Sequence, residues 1–222
     1  MRNIVVTEFV SLDGIIEAPE RWSLAYWNDE ISRFKHEELF SHGALLLGRG
    51  TYLNFAASWP KQKDSTGYAN RINSMPKFVA STTLQAAEWQ NTQIIHSNLA
   101  EEVALLKTQP GQDILVFGSP NLVHSLREAD LIDRYQLLVY PVILGKGKSM
   151  FQDGLGKAEL ELLECRVMGG AADSSGSTDT EAADSEAVEG DTANGGKSKP
   201  GGQRRKAVPG AQVVLLVYQP KH

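Results

Sequence analysis

Leu45-Leu46-Leu47-Gly48-Arg49-Gly50-Thr51-Tyr52 is an unbroken apolar run that ends on glycine and passes at once to a basic and a hydroxyl residue. A short apolar run closed by glycine reads as a buried strand, and the residues after it read as the first turn of a helix. Glycine lets backbone N–H groups approach a phosphate closely, and the positive end of a helix starting there adds to the attraction. Arg49 can grip a phosphate bidentately, and Thr51 can donate a further hydrogen bond. The plainer alternative is a tight turn with a surface arginine. Ile114-Leu115-Val116-Phe117-Gly118-Ser119-Pro120-Asn121-Leu122 repeats the logic, with proline suited to the first turn of the helix that follows. Two such loops in one chain point to a phosphorylated nucleotide held at strand ends. Neither loop matches the P-loop or the full G-x-G-x-x-G pattern, which argues against a kinase or a standard dinucleotide-binding unit.

Outward from these loops the chain alternates strand and helix signals. Strands are predicted at Ile4–Val10, Ala44–Leu47, Lys77–Ala80, Gln93–Ile95, Ile114–Phe117 and Tyr135–Val142. Asn28 or Asp29 can cap a helix running to Phe40, with Ile31, Phe34, Leu39 and Phe40 as its apolar face. Asn98 can cap a second, whose buried side would be Leu99, Val103, Leu105 and Leu106. A third starts near Pro120 and buries Leu122, Val123 and Leu126. The alternation predicts an α/β fold with a mainly parallel sheet covered on both faces. Ligands of such sheets lie beyond the carboxyl ends of the strands, where the glycine loops fall.

The clearest boundary is internal. From Gly169 to Gly210 the sequence is Gly, Ala, Ser, Thr, Asp and Glu, acidic first and basic later, with almost no large apolar side chain. Such a stretch cannot bury enough apolar surface to offset the entropy of ordering it. The expectation is one domain, 1–168 with 211–222, carrying a disordered insertion over 169–210. The insertion would join two antiparallel strands, Leu160–Val167 and Val213–Tyr218, at a cost that grows only logarithmically with its length. A partner-binding tether is the other use of such a segment.

Composition narrows the function. With 222 residues and 41% hydrophobic content the chain can bury a core, and a net charge of −5 argues against nucleic acid or an anionic membrane as the main partner. No apolar run approaches the roughly 20 residues that span a bilayer, and no signal segment leads the chain, so a cytoplasmic location is expected. Cys165 is the one cysteine; its alternating apolar surroundings predict a buried thiol. The five histidines show no metal-ligand spacing, and no metal is expected. Val10-Ser11-Leu12-Asp13-Gly14 places a carboxylate after the first strand, for a substrate or for a plain Asp-Gly turn. Ser81-Thr82-Thr83 ends the third strand in hydroxyls. Trp22, Tyr26 and Trp27 can wall a flat ligand or pack the first helix on the sheet.

In this order the pieces resemble the dihydrofolate-reductase-like superfamily, and within it stand-alone relatives of the reductase domain of bifunctional riboflavin-biosynthesis enzymes. Besides the stretches above, the resemblance rests on Leu131-Ile132-Asp133-Arg134-Tyr135 and on Tyr140-Pro141-Val142-Ile143-Leu144-Gly145-Lys146-Gly147-Lys148-Ser149-Met150-Phe151. It implies a three-layer α/β/α fold with a C-terminal antiparallel hairpin, and NADPH as hydride donor to a small pterin-like, pyrimidine-like or related heterocyclic or carbonyl substrate. Gly48, Arg49 and Thr51 would meet the cofactor phosphates, and Ser81 and Thr82 its adenosine side. Gly118, Ser119, Asn121 and Leu122 would meet the pyrophosphate and nicotinamide. Asp13 is the implied catalytic residue beside the nicotinamide, with Trp22 and Glu30 on the substrate side. The resemblance further implies a cis peptide at Gly118-Ser119 and a homodimer joined through Tyr135–Phe151. A nucleotide-binding module without turnover is the alternative reading, because no proton donor stands out.

Overall fold

The computed structural model describes residues 1–151, 156–169, 208, 210 and 212–221. Among them the strands are β1 (Ile4–Ser11), β2 (Ala44–Gly48), β3 (Lys77–Ala80), β4 (Thr92–Ile95), β5 (Ile114–Phe117), β6 (Arg134–Tyr140), β7 (Leu160–Met168) and β8 (Val213–Pro220). The helices are α1 (Asp29–Ser41), α2 (Arg49–Ser58), α3 (Tyr68–Ser74), α4 (Leu99–Thr108) and α5 (Pro120–Glu128). The strands form one sheet in the order β4-β3-β2-β5-β1-β6-β8-β7. The first six are parallel to their neighbours, while β8 joins β6, and β7 joins β8, antiparallel. This is the α/β fold the alternation predicts, with the hairpin at one edge. The proposed insertion falls almost wholly outside the described residues.

Burial follows the strand patterns. Every residue of β2 is buried, and so are Ile114, Leu115 and Val116 of β5, because helices cover both faces of these central strands. On one face Val5, Leu45, Leu47 and Leu115 pack with Leu39 of α1, Tyr52 of α2 and Ile72 of α3. On the other Ile4, Val6, Leu46 and Val116 pack with Val103 and Leu106 of α4 and with Leu122, Val123 and Leu126 of α5. Each such fully buried side chain contributes about 1.5–3 kcal/mol. Ile31 of α1 reaches further along the first face, onto Leu138, Tyr140, Leu215 and Val217. One helix thus ties the parallel strands to the antiparallel edge.

Four sequence expectations are corrected. In α1 the sheet-facing positions are Ile31, Lys35, Glu38 and Leu39, whereas Phe40 is exposed. Helical spacing selects that face, and two of its positions are charged. The Asn28 side chain caps the helix by accepting the Ile31 N–H at 3.0 Å, but Asn98, with φ +52°, makes no side-chain cap for α4. Leu105 lies on the outer face of α4, 58% exposed, and the position next to Leu106 goes to Lys107. Cys165 is exposed, since among the described residues the outermost strand has no neighbour on its free side, and alternation alone does not say whether a face is covered. No helix among the described residues is long and apolar enough to cross a membrane.

Candidate functional site

Chain direction creates a crevice at the carboxyl end of β5. Its neighbours β1 and β2 lead into helices on one face, α1 and α2, while β5 leads into α5 on the other. Loops that part in this way leave an opening between strand ends. Both glycine loops border it. A Cβ on Gly48 would overlap the Oγ and Cβ atoms of Ser119, so only glycine allows the loops to come this close. Gly118 (φ +59°) and Ser119 (φ +68°) are both left-handed, and no peptide bond among the described residues is cis. The expected cis link at Gly118-Ser119 is therefore absent: two successive positive φ angles make the turn with trans peptides.

The notch suits an anion. Helices α2 and α5 both begin at it, and neither carries an acidic residue in its first turn. Thr51 Oγ1 lies 3.1 Å from the point where Gly118 would carry a Cβ. Arg49 opens α2 and is exposed, and Asn121 is exposed at the start of α5, whereas Leu122 is buried with the core of α5. Ser81 and Thr82 end β3, beyond β2. The Ser81 Oγ accepts the Leu84 N–H at 3.0 Å and so builds its own loop, while Thr82 is exposed.

On the β1 side the loops are zipped together. Leu12 N–H donates to Val142 O at 2.8 Å, Ile16 N–H to Lys148 O at 3.0 Å, and Met150 N–H to Gly14 O at 2.9 Å. Asp13 sits at the centre. One carboxylate oxygen accepts from Ser11 Oγ at 2.6 Å and Leu144 N–H at 3.2 Å, the other from Gly145 N–H at 2.7 Å. Led by the Ser11 bond, these donors hold its pKa down at about 2. The Ser-Leu-Asp-Gly turn and the Gly-Lys-Gly-Lys loop, far apart in sequence, are two halves of one clasp.

Trp22 and Glu30 each have partners of their own. Trp22 donates its indole N–H to Glu17 O at 3.0 Å and sets its ring edge-on to Tyr140, 5.3 Å between centroids. Glu30 accepts the Gly169 N–H at 2.6 Å, at the end of β7. Asp13 and Glu30 thus both accept from backbone amides. A recess of about 540 Å³ bordered by Arg127, Asp130, Tyr135, Lys157 and Pro220 lies by the start of β6, the end of the sheet opposite the glycine loops.

Sequence reading missed two groups. Glu8 lies in β1 beside the notch, almost fully buried, with the Gly118 backbone N–H directed to its carboxylate. Desolvation pushes its pKa up to about 8, against the pull of Lys35 and the Gly118 amide. Lys35, itself buried, pairs with Glu38, donates to Thr7 Oγ1 at 3.1 Å and stands 4.8 Å over the Phe117 ring. A lone charge in the apolar run Ile4–Val10 was the signal for Glu8.

A family model described as the RibD C-terminal domain matches residues 2–172. The chain belongs to that family. It is 28% identical over 172 residues to the uncharacterized protein YyaP of Bacillus subtilis, covering 75% of this chain and 89% of that one. YwjB of the same organism, also uncharacterized, is 28% identical over 177 residues, with 77% and 94% covered. The fold matches a putative riboflavin biosynthesis protein from Shewanella sp. PV-4 with TM-score 0.64, at 16% identity and 99% coverage of both chains. It also matches dihydrofolate reductase from Enterococcus faecalis, solved with NADP(H) and RAB-propyl, with TM-score 0.56, 12% identity, and 99% and 97% coverage. At these identities the two structures bear on the fold, which is dihydrofolate-reductase-like.

Proposed function

We propose that this chain is an NADPH-dependent reductase of a small pterin-like, pyrimidine-like or related heterocyclic or carbonyl compound. The observation that carries the reading is the contact of Gly48 with Ser119, which brings two helix-opening loops together at the crevice. NADPH, when bound, supplies the hydride, and the chain supplies orientation and electrostatics. Gly48, Arg49, Thr51, Gly118, Ser119 and Asn121 hold the phosphates, Ser81 and Thr82 border the adenosine, and Leu122 backs the loop. Asp13, ionised and bound to three donors, shapes the substrate side by fixing the clasp; it is a poor proton donor. Trp22 and Glu30 border the same side.

Titrating NADPH into the protein while following tryptophan fluorescence tests the reading, with NADH as control. Saturable quenching by NADPH is expected, and none with either dinucleotide overturns it. The commitment of Asp13 and Glu30 to backbone amides favours one second reading, a nucleotide-binding module without turnover. NADPH oxidation against a panel of dihydropterins and aminopyrimidines separates the two. The proposal includes a cytoplasmic homodimer joined through the exposed Ile143 and Phe151 after β6 and the outer strand β7, where Leu162 and Val167 are each 51% exposed.

A further inference from the structure

Glu8 is the one charged residue of β1. The last pair between β1 and β5 is Thr7 with Phe117, so Glu8 stands one residue above the end of β5, with Leu137 of β6 as its other neighbour. Its side chain is buried, and among the described residues Oε1 has no hydrogen-bond partner. Oε2 lies 4.0 Å from the point where Gly118 would carry a Cβ, the same point that Thr51 Oγ1 approaches to 3.1 Å. The carboxyl therefore forms the floor beneath the glycine turn. The groups around it are few. From α1 come Lys35 and Glu38, already paired with each other. From α2 comes Thr51, from β6 the uncharged Leu137, and from the first turn of α5 no acid.

We propose that Glu8 positions the Gly118-Ser119 turn and that a dinucleotide diphosphate occupies the notch only while the Glu8 carboxyl is protonated. The inference rests on the reductase reading, since it takes NADPH as the occupant. A diphosphate above a buried carboxylate sets like charges together where water screens them little. Burial already raises this carboxyl to about 8, and an anion overhead raises it further. Near neutral pH the proton is in place beforehand. Above the free-state pKa, each cofactor bound takes one proton from solvent onto Glu8. A proton on Oε1 also turns an unpartnered acceptor into a donor that an anionic oxygen can satisfy.

The test is NADPH affinity from about pH 6 to about pH 10 for the full chain and for Glu8→Gln, which keeps an acceptor for Gly118 but does not titrate. The wild-type Kd should rise about tenfold per pH unit above roughly pH 8, and the variant should stay flat there. Parallel profiles overturn the proposal. Calorimetry of the wild type at about pH 9, in two buffers of different ionisation enthalpy, needs no variant. Uptake of close to one proton per NADPH supports the proposal and none overturns it. NADPH that fails to bind at any pH overturns the reductase reading itself, whereas binding without proton uptake overturns this inference alone.

Discussion

Glu8 and Asp13 lie five positions apart, on β1 and on the turn that follows it, and their surroundings push them in opposite directions. Asp13 is exposed and accepts from a hydroxyl and two amides, so it is held ionised. Glu8 is buried with one amide for company and is held protonated near neutral pH. The difference teaches that the carboxylate marked by a turn motif is the structural one. The carboxylate able to hold a proton beside the notch is the one that no motif marks. Donors decide the first case, and loss of water decides the second.

The largest expected effect is on stability against pH. Glu8 binds a proton more tightly folded than unfolded, so its contribution is complete below about pH 4.5, falls as pH rises, and is gone above about 8. The slope is roughly 1.4 kcal/mol per pH unit, or on the order of 4 kcal/mol across the window. Urea unfolding at several pH values should show wild type losing stability relative to Glu8→Gln through that window. A difference that does not change with pH would mean that Glu8 is ionised in the fold. Next comes Gly48→Ala, whose methyl collides with Ser119. Forcing the loops apart should cost about 1–3 kcal/mol and weaken NADPH at least tenfold, read by thermal melting and by titration. A variant of unchanged melting temperature and affinity would show that the two loops need not meet.

The parallel half and α5 were legible in the sequence. The predicted bounds of β3 and β5 hold to the residue, because short apolar runs between turn residues have little room to slip. The buried face of α5 was read correctly as well. What escaped was polar or depended on distant coverage. Lists of apolar residues cannot find Lys35 and Glu38, whose burial is tolerable only as a pair. Helix α3 has only Ala69 and Ile72 buried, too short a period to stand out, and was not read. The clasp around Asp13 joins segments that local reasoning never sets side by side.

Asp13→Asn sharpens the same comparison with a smaller change. An amide of similar shape keeps an acceptor but loses the charge that the Leu144 and Gly145 N–H groups point toward. Asp13 binds its proton less tightly folded than unfolded, so its contribution is present above about pH 4 and is lost as pH falls through about 2. The variant should melt slightly lower at neutral pH and converge with wild type in acid. Its NADPH affinity should keep the wild-type pH profile, because the titrating group is Glu8. A profile flattened by Asp13→Asn would move the proton from the notch to the clasp.

The smallest effect on stability is expected at the outer strand. Among the described residues Val167 has no partner strand beyond it and is half exposed, so Val167→Lys removes little burial and should change folding by no more than about 0.5 kcal/mol. If β7 is a dimer contact, the lysine sets two like charges against each other in an apolar interface, and light scattering should show a shift toward monomer. NADPH affinity should not move, since the edge strand stands apart from the crevice by β6 and β8. Loss of the dimer together with loss of cofactor binding would mean that a second copy completes the notch. Glu8 and Gly118 would then no longer account for the site within one chain.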